Sequence, residues 1–331
     1  MTTATQTPRL TFRKDALKDF FVQVLGQARV LKKLYPGIMH FLIFWGVTIQ
    51  VVGTAINLMQ MKLFLPFALE TFPRNGWYLG YELAMDIAGL FIILGVLMAG
   101  FRRLFLRPRE LSTNWDDWFA LGMFLLIALI GFTNEAMRFV AADPAWAGYS
   151  LVGSWLADVF RAGGMTVETA FNWHNTLVVL HVIVALLLVA AVPFTKLRHM
   201  FNGPLNILVR PTRPIGALEK IEDIENTEML GVGKIVEFTP QQLLSFDACL
   251  RCGRCEEACP SNFSGMDYSP KVLVQSLYIP GYRIAMENLR EADLAISPEV
   301  GDIGFFQFDK EVEAIEAGEK AAREVLEEAG I

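Results

Sequence analysis

The sequence predicts an all-α membrane protein: a transmembrane four-helix bundle followed by a small α-rich domain. Three observations point there. Hydrophobic residues make up 53% of the 331-residue chain, and the mean hydropathy of +0.37 is high for a water-soluble globular protein. Four apolar stretches approach the roughly 20 residues needed to cross a bilayer. The charge is split: residues 1–214 carry about seven more basic than acidic residues, whereas residues 215–331 carry roughly 23 acids against 10 bases. A basic half apposed to a membrane and an acidic half in water fit the net charge of −6. Nothing in this pattern suggests nucleic acid.

Residues 1–34 form the first expected segment, cytoplasmic and amphipathic. "KDALKDFFVQVLGQARVLKKL" mixes charged and apolar residues at helical spacing, as a helix lying on a membrane surface does. No apolar core and cleavage site follow the first charges, so no signal peptide is expected. Residues 35–210 form the membrane domain, with spans at about 36–59, 78–101, 117–138 and 170–195. Lys32 and Lys33 precede the first span, Arg102, Arg103, Arg107 and Arg109 follow the second, and Lys196 and Arg198 follow the fourth. The opposite loops carry only Lys62, Arg74, Arg138 and Arg161. By the positive-inside rule both termini are cytoplasmic in a multi-pass protein of the inner membrane. "GSWLADVFRAGG", within the outer loop, reads as a short amphipathic helix. The Pro/Gly-rich connector after span four leads to residues 211–331, helical with loops and ending in the charged helix "FDKEVEAIEAGEKAAREVLEEAG".

All four histidines lie in or at the ends of spans. His40 is near the cytoplasmic start of span one; His174, His181 and His199 belong to span four or its extension. On a continuous helix, residues 181 and 199 share a face about 27 Å apart, and His174 falls within roughly 20° of it. Polar side chains at membrane depth are costly and usually functional. Haem iron at the ends of a helical bundle is commonly held by histidine. His40 and His199, both near the cytoplasmic side, are the natural pair.

"LHVIVALLLVAAVPFTKLRH" (180–199) resembles the haem-bearing last helix of the respiratory nitrate reductase gamma subunit. "PGIMHFLIFWGV" and "FRRLFLRPRE" resemble its other spans and loop. Related membrane cytochromes include those of heterodisulfide reductase and of the sulfite-reduction complex. The resemblance covers roughly residues 30–210. It implies a cytoplasm-proximal haem b held by His40 and His199. A second, distal haem would use His181 and a histidine about ten residues after His40. That position holds Gln50, a departure: His174 projects from the same helix side as His181 and cannot pair with it, so the distal site is lost, recruits another ligand, or uses His174 while His181 does something else, leaving one haem or two. The resemblance also implies chemistry on quinone or quinol, menaquinol in the first instance, near the outer face. Glu82 and Asp86, one helical turn apart on span two, and Glu135 with Arg138 on span three, are the carboxylate-bearing candidates to take its protons.

Cys249, Cys252, Cys255 and Cys259 form C-x2-C-x2-C-x3-C-P, the spacing of thiolates around a [4Fe–4S] cluster. Zinc fits so tight a run followed by Pro far less well. The small domain is therefore expected to be a cytoplasmic iron–sulfur domain, in a reducing compartment. The downstream "SPKVLVQSL" and "AISPEVGDI" resemble the stretch between two clusters in iron–sulfur subunits of heterodisulfide reductase and anaerobic glycerol-phosphate dehydrogenase, but no second cysteine run follows. Three outcomes are open: all four thiolates bind one cluster, Cys259 completes one with a partner chain, or the second site has decayed.

These features converge on a membrane electron-transfer subunit of a multi-subunit oxidoreductase. It would pass electrons between quinone or quinol, haem b and the [4Fe–4S] cluster. The resemblance implies a soluble redox partner: a heterodisulfide-reductase-like subunit, an electron-transfer flavoprotein or a flavin dehydrogenase. A structural membrane anchor and a redox-sensing iron–sulfur protein are the alternatives.

Overall fold

Helix length in the membrane domain follows from an apolar environment that offers the backbone no other hydrogen-bond partner. The computed structural model describes residues 16–59, 76–109, 111–210, 238–266, 268–278 and 311–328, and every regular element among them is helical. The chain divides into two compact units, Met1–Lys271 and Val272–Ile331. The first holds the membrane helices together with the cysteine run. The expected boundary between residues 210 and 211 adjoins residues 211–237, which lie outside the described residues. In the second unit, the helix Glu311–Glu328 carries the i,i+4 pairs Glu319–Arg323 and Lys320–Glu324, as a solvated helix does.

The N-terminal amphipathic helix is shorter than expected. α1 (Ala16–Phe20) runs into a π turn, Phe21–Leu25, and the chain turns at Gly26 and Gln27. Gln27 has φ 51°, a left-handed conformation that no helix can continue through. Four helices are long and apolar enough to cross a membrane: α2 (Leu34–Met59), α3 (Gly76–Phe101, continued by a π turn to Leu106), α4 (Trp115–Ala142) and α6 (Val167–Ala191). The short α5 (Leu151–Ala162) is the expected helix of the loop between α4 and α6. After α6 comes α7 (His199–Val209), on which α1 packs, and beside it Asp19 pairs with Arg210.

α2 packs on α3, α3 on α4, and α4 on α6, whereas no extended packing joins α2 to α6 among the described residues. The bundle is thus open between its first and last spans. Glycines set the α2–α3 spacing. A Cβ on Gly46 would meet the Ala88 carbonyl at 2.8 Å and the Ile92 Cγ1 at 2.7 Å. One on Gly95 would meet the Ile43 Cγ1 at 2.6 Å. Ile92, Val96, Ala120, Phe124, Ala128 and Leu197 form the buried core at one end, with Ile43, Val47, Leu188 and Val192 against it.

One expectation fails usefully. α6 stops at Ala191, because Pro193 lacks an amide donor and disfavours helix at the residue before it. A turn and a 3-10 turn, Lys196–Arg198, follow, and His199 opens α7. The continuous-helix arithmetic therefore does not hold for His199, which is placed by this break; His174 and His181 do share α6.

The same end carries a buried ion network. Asn114 caps α4 with a reciprocal box to Asp117, whose carboxylate, 1% exposed, also takes Arg103 and Lys196. Its neighbour Asp116 accepts Arg251 through both oxygens at 2.6 Å. Both acids sit in the first turn of α4, where the helix dipole favours negative charge.

Two outcomes test this packing. Gly46→Val lowers thermal stability in detergent by about 1–3 kcal/mol through overpacking, whereas Gly100→Ala, with open space at its Cβ, is neutral; equal melting curves would refute the close approach. Asp117→Asn keeps a cap acceptor but strands Arg103 and Lys196, and destabilises by about 3 kcal/mol or more, read by the same melt.

Candidate functional site

The site is built at the end of the bundle where the chain turns three times: at 26–33, at 192–198 and in the cysteine loop. The first two turns position the histidine pair. The His40 and His199 rings lie with centroids 6.3 Å apart, tilted by 56°. A metal bonded to one nitrogen of each of two imidazoles at about 2 Å sets ring centres roughly 6 Å apart. The Nδ1–H of His40 donates to Gln27 Oε1 at 2.9 Å, and the Nδ1–H of His199 donates to the Lys196 carbonyl at 2.6 Å. Both acceptors lack a proton, so both rings are the tautomer whose Nε2 is free to ligate. Such outer partners fix ring orientation at metal sites. Burial pulls the His199 imidazole below its ordinary pKa, so it is neutral, the form a ligand needs. The pair fits a bis-histidine iron, and the unpacked seam between α2 and α6 is where the flat group would enter.

The cysteines stand beside this pair. Cys249 and Cys259 are half-buried, Cys252 and Cys255 exposed, and Cys255 lies within electrostatic reach of both Cys249 and Cys252. Among the described residues no three ligand side chains converge on one ion-sized point; a four-iron cube is wider than an ion and is wrapped by its loop. The donor set of four thiolates at this spacing fits the cluster. Arg251 at φ 55° and Gly253 at φ 75° make the loop turn tightly enough to bring successive thiols round, Gly253 doing so without steric cost.

The spacer residues do the docking. Residues 251, 254 and 257 recur every third position, as do Cys249, Cys252 and Cys255. Arg251 binds Asp116 of α4. Arg254 donates to the Arg29 and Val30 carbonyls at 3.2 and 3.3 Å. Glu257 pairs with Lys33. On the loop's return, Glu256 takes Lys271 and Ser269, where the helix Pro270–Tyr278 begins. Burial pulls the Lys196 ammonium down to about 7, with Arg103 adding to the pull, while Asp116 opposes it. The Lys196 charge also feels Cys252. One residue thus holds a histidine through its carbonyl and faces the cysteine loop with its ammonium.

The opposite end gathers the expected carboxylates, with a division among them. Tyr78 donates to Glu82, which also lies 3.7 Å from Arg138. Arg138 pairs with Glu135 at 3.0 Å and stacks over Trp146. Asp86, 2% exposed, is committed elsewhere: it accepts from Ser150 Oγ at 3.2 Å and from the Val152 amide at 3.0 Å, capping the N-terminus of α5. The structure brings Glu82, Glu135 and Arg138 together and uses Asp86 to hold the helix over them. His174 and His181 do not meet His40. His174 Nδ1 contacts the Asn134 carbonyl at 3.3 Å, and His181 packs towards Gly131 with its buried Nδ1 unpartnered among the described residues. Gln50 donates to the Met85 carbonyl at 2.8 Å, so its amide is engaged with α3.

Sequence reasoning missed Asp116, Asp117, Gln27, Arg251 and Arg254. Two adjacent acids in "NWDDW", just before an apolar span and beside a basic loop, were the available signal for the first two. The others signal nothing until their partners are known.

Comparison with known proteins identifies relatives of both parts of the chain. Residues 32–215 match the nitrate reductase gamma subunit family, and residues 244–263 match a 4Fe-4S binding domain. The chain is 33% identical over 269 residues to an EtfAB:quinone oxidoreductase of Syntrophomonas wolfei, covering 78% of this chain and 37% of that protein. It is 28% identical over 268 residues to a probable iron-sulfur-binding oxidoreductase, FadF, of Bacillus subtilis, covering 80% and 37%. A subunit of the dihydromethanophenazine:CoB--CoM heterodisulfide reductase of Methanosarcina mazei is 26% identical over 209 residues, covering 59% of this chain and 68% of that one. The chain thus spans little more than a third of the first two relatives. No solved structure matches. A match over more than half its length, carrying both histidines of the pair, shows that the chain belongs to the nitrate reductase gamma subunit family, with a 4Fe-4S binding segment after its membrane domain.

Proposed function

We propose that the chain is the membrane electron-transfer part of an oxidoreductase, linking a quinone or quinol at the Glu82 end of the bundle to a soluble redox partner at the cysteine end. The observation that carries this is the His40–His199 pair, spaced for one iron and directly beside the cysteine loop. When bound, a b-type haem and a [4Fe–4S] cluster supply one-electron storage between the two ends.

The residues of this chain do the rest. His40 and His199 would hold the haem iron, their rings fixed by Gln27 and the Lys196 carbonyl. Cys249, Cys252, Cys255 and Cys259 would hold the cluster, and Arg251 and Arg254 dock their loop on Asp116 and on the Arg29 and Val30 carbonyls. Oxidation of a quinol releases protons and electrons in equal number. Glu82, buried but hydrogen-bonded by Tyr78, is the acceptor for a proton, with Glu135 next to it across Arg138. Asp86 is a positioning residue that holds α5 above them. Lys and Arg at the cysteine end of the spans orient that end, and both termini, to the cytoplasm. An acidic C-terminal part suits a partner with a basic docking face. The relative named EtfAB:quinone oxidoreductase supports an electron-transfer flavoprotein as that partner. His181, with Gln50 committed to α3, leaves a single haem as the reading best supported.

Purified in detergent, the full chain gives reduced b-type bands on adding a quinol, and a pyridine haemochrome of one haem. His40→Ala and His199→Ala each abolish the bands. Glu82→Gln leaves the bands but slows quinol-driven reduction by about 10²-fold, the size of a lost acid–base group. Haem content unchanged in both histidine variants would overturn the assignment, and an undiminished rate in Glu82→Gln would remove the proton-acceptor role.

A further inference from the structure

Gln27 is the least expected residue in the site. It is 1% exposed, in a left-handed backbone conformation at φ 51°, and it is not a glycine. That conformation is strained for any residue with a Cβ. Its backbone carbonyl accepts from the Val30 and Leu31 amides, which any residue would provide. Its side chain makes one protein hydrogen bond among the described residues, from His40 Nδ1 to Oε1, and its buried Nε2 has no partner. The fold thus holds a buried amide in a strained conformation, with its oxygen engaged by His40. Strain of this kind persists where function selects the arrangement.

The single bond is aimed at the far side of a proposed iron ligand. An acceptor on Nδ1–H draws the proton outward and raises the basicity of Nε2. More electron density at the iron favours its oxidised form. The acceptor on His40 is an amide oxygen and the acceptor on His199 is a backbone carbonyl, so only the first can be retuned by substitution.

We propose that Gln27 is a positioning residue that orients His40 and lowers the reduction potential of the haem held by His40 and His199. The inference rests on the haem reading above. Gln27→Met removes the acceptor at nearly constant size, with a similar backbone penalty, and adds no charge. Gln27→Glu keeps the shape and strengthens the acceptor. Redox titration of the b-type band in the purified full chain places the potentials in the order Glu, natural, Met, from lowest to highest. Each step changes the reduction equilibrium by at least about threefold, roughly 30 mV for a one-electron couple. The low-spin ferric resonance shifts in parallel, because the ligand itself has changed, whereas a remote charge would leave it in place.

A Met variant that binds haem at an unshifted potential overturns the proposal. Should that variant fail to accumulate, the Glu variant decides: a lowered potential with a shifted ferric resonance supports the proposal, and a lowered potential with an unshifted resonance overturns it. A natural chain that binds no haem sinks the parent reading instead, so the two failures are distinct.

Discussion

The pairing of Arg251 with Asp116 joins two parts of the molecule that could otherwise have separated. Asp116 and Asp117 sit in the first turn of α4, one taking the cysteine loop through Arg251 and the other taking Arg103 beyond α3 and Lys196 beyond α6. Two buried carboxylates and three cations, at the end of an apolar bundle, are stable only as a set, since each ion left alone would be a buried unpaired charge. Because Lys196 also holds His199 through its carbonyl, the network fixes the histidine, the cysteine loop and the three helix ends together. Electron transfer between neighbouring centres needs a fixed separation, and this network would supply it to the centres proposed above.

The open seam between α2 and α6 is the complement of that closed end. Elsewhere the helices approach as closely as glycine permits, at Gly46, Gly89 and Gly95. Among the four spans, α2–α3, α3–α4 and α4–α6 pack along their length, whereas α2 and α6 share no extended packing among the described residues. The two histidines whose ring centroids lie 6.3 Å apart are on the two sides of that seam, one near the start of α2 and one just beyond α6. The opposite end has a different logic. Asp86 is committed to a helix cap, and the charged cluster of Glu82, Glu135 and Arg138 lies beneath the helix that the cap holds.

The limits of helical periodicity are instructive here. Periodicity placed His174 and His181 on one face correctly, because both lie on α6. It failed at His199 because Pro193 ended the helix, and the residue reached His40 by a turn and not by a continued stripe. One-turn spacing put Asp86 beside Glu82, but the Asp86 carboxylate is taken by the N-terminus of α5, 66 positions along the chain at Val152.

The sequence by itself determined the four spans, the helix in the loop and the spacing of the cysteine run. Each of these depends on short-range facts: apolar length against bilayer thickness, amphipathic spacing, and thiolate spacing around a cube. Only the tertiary structure decided that Gln27 holds His40, that Asp116 anchors the cysteine loop, and that Asp86 caps α5 while Glu82 joins Tyr78, Arg138 and Glu135. Those are bonds between polar groups distant in the chain. A side chain's donors and acceptors are written in its sequence, but which of them meet depends on how the helices stack, and the stacking is set by glycine contacts and turns that carry no chemical label of their own.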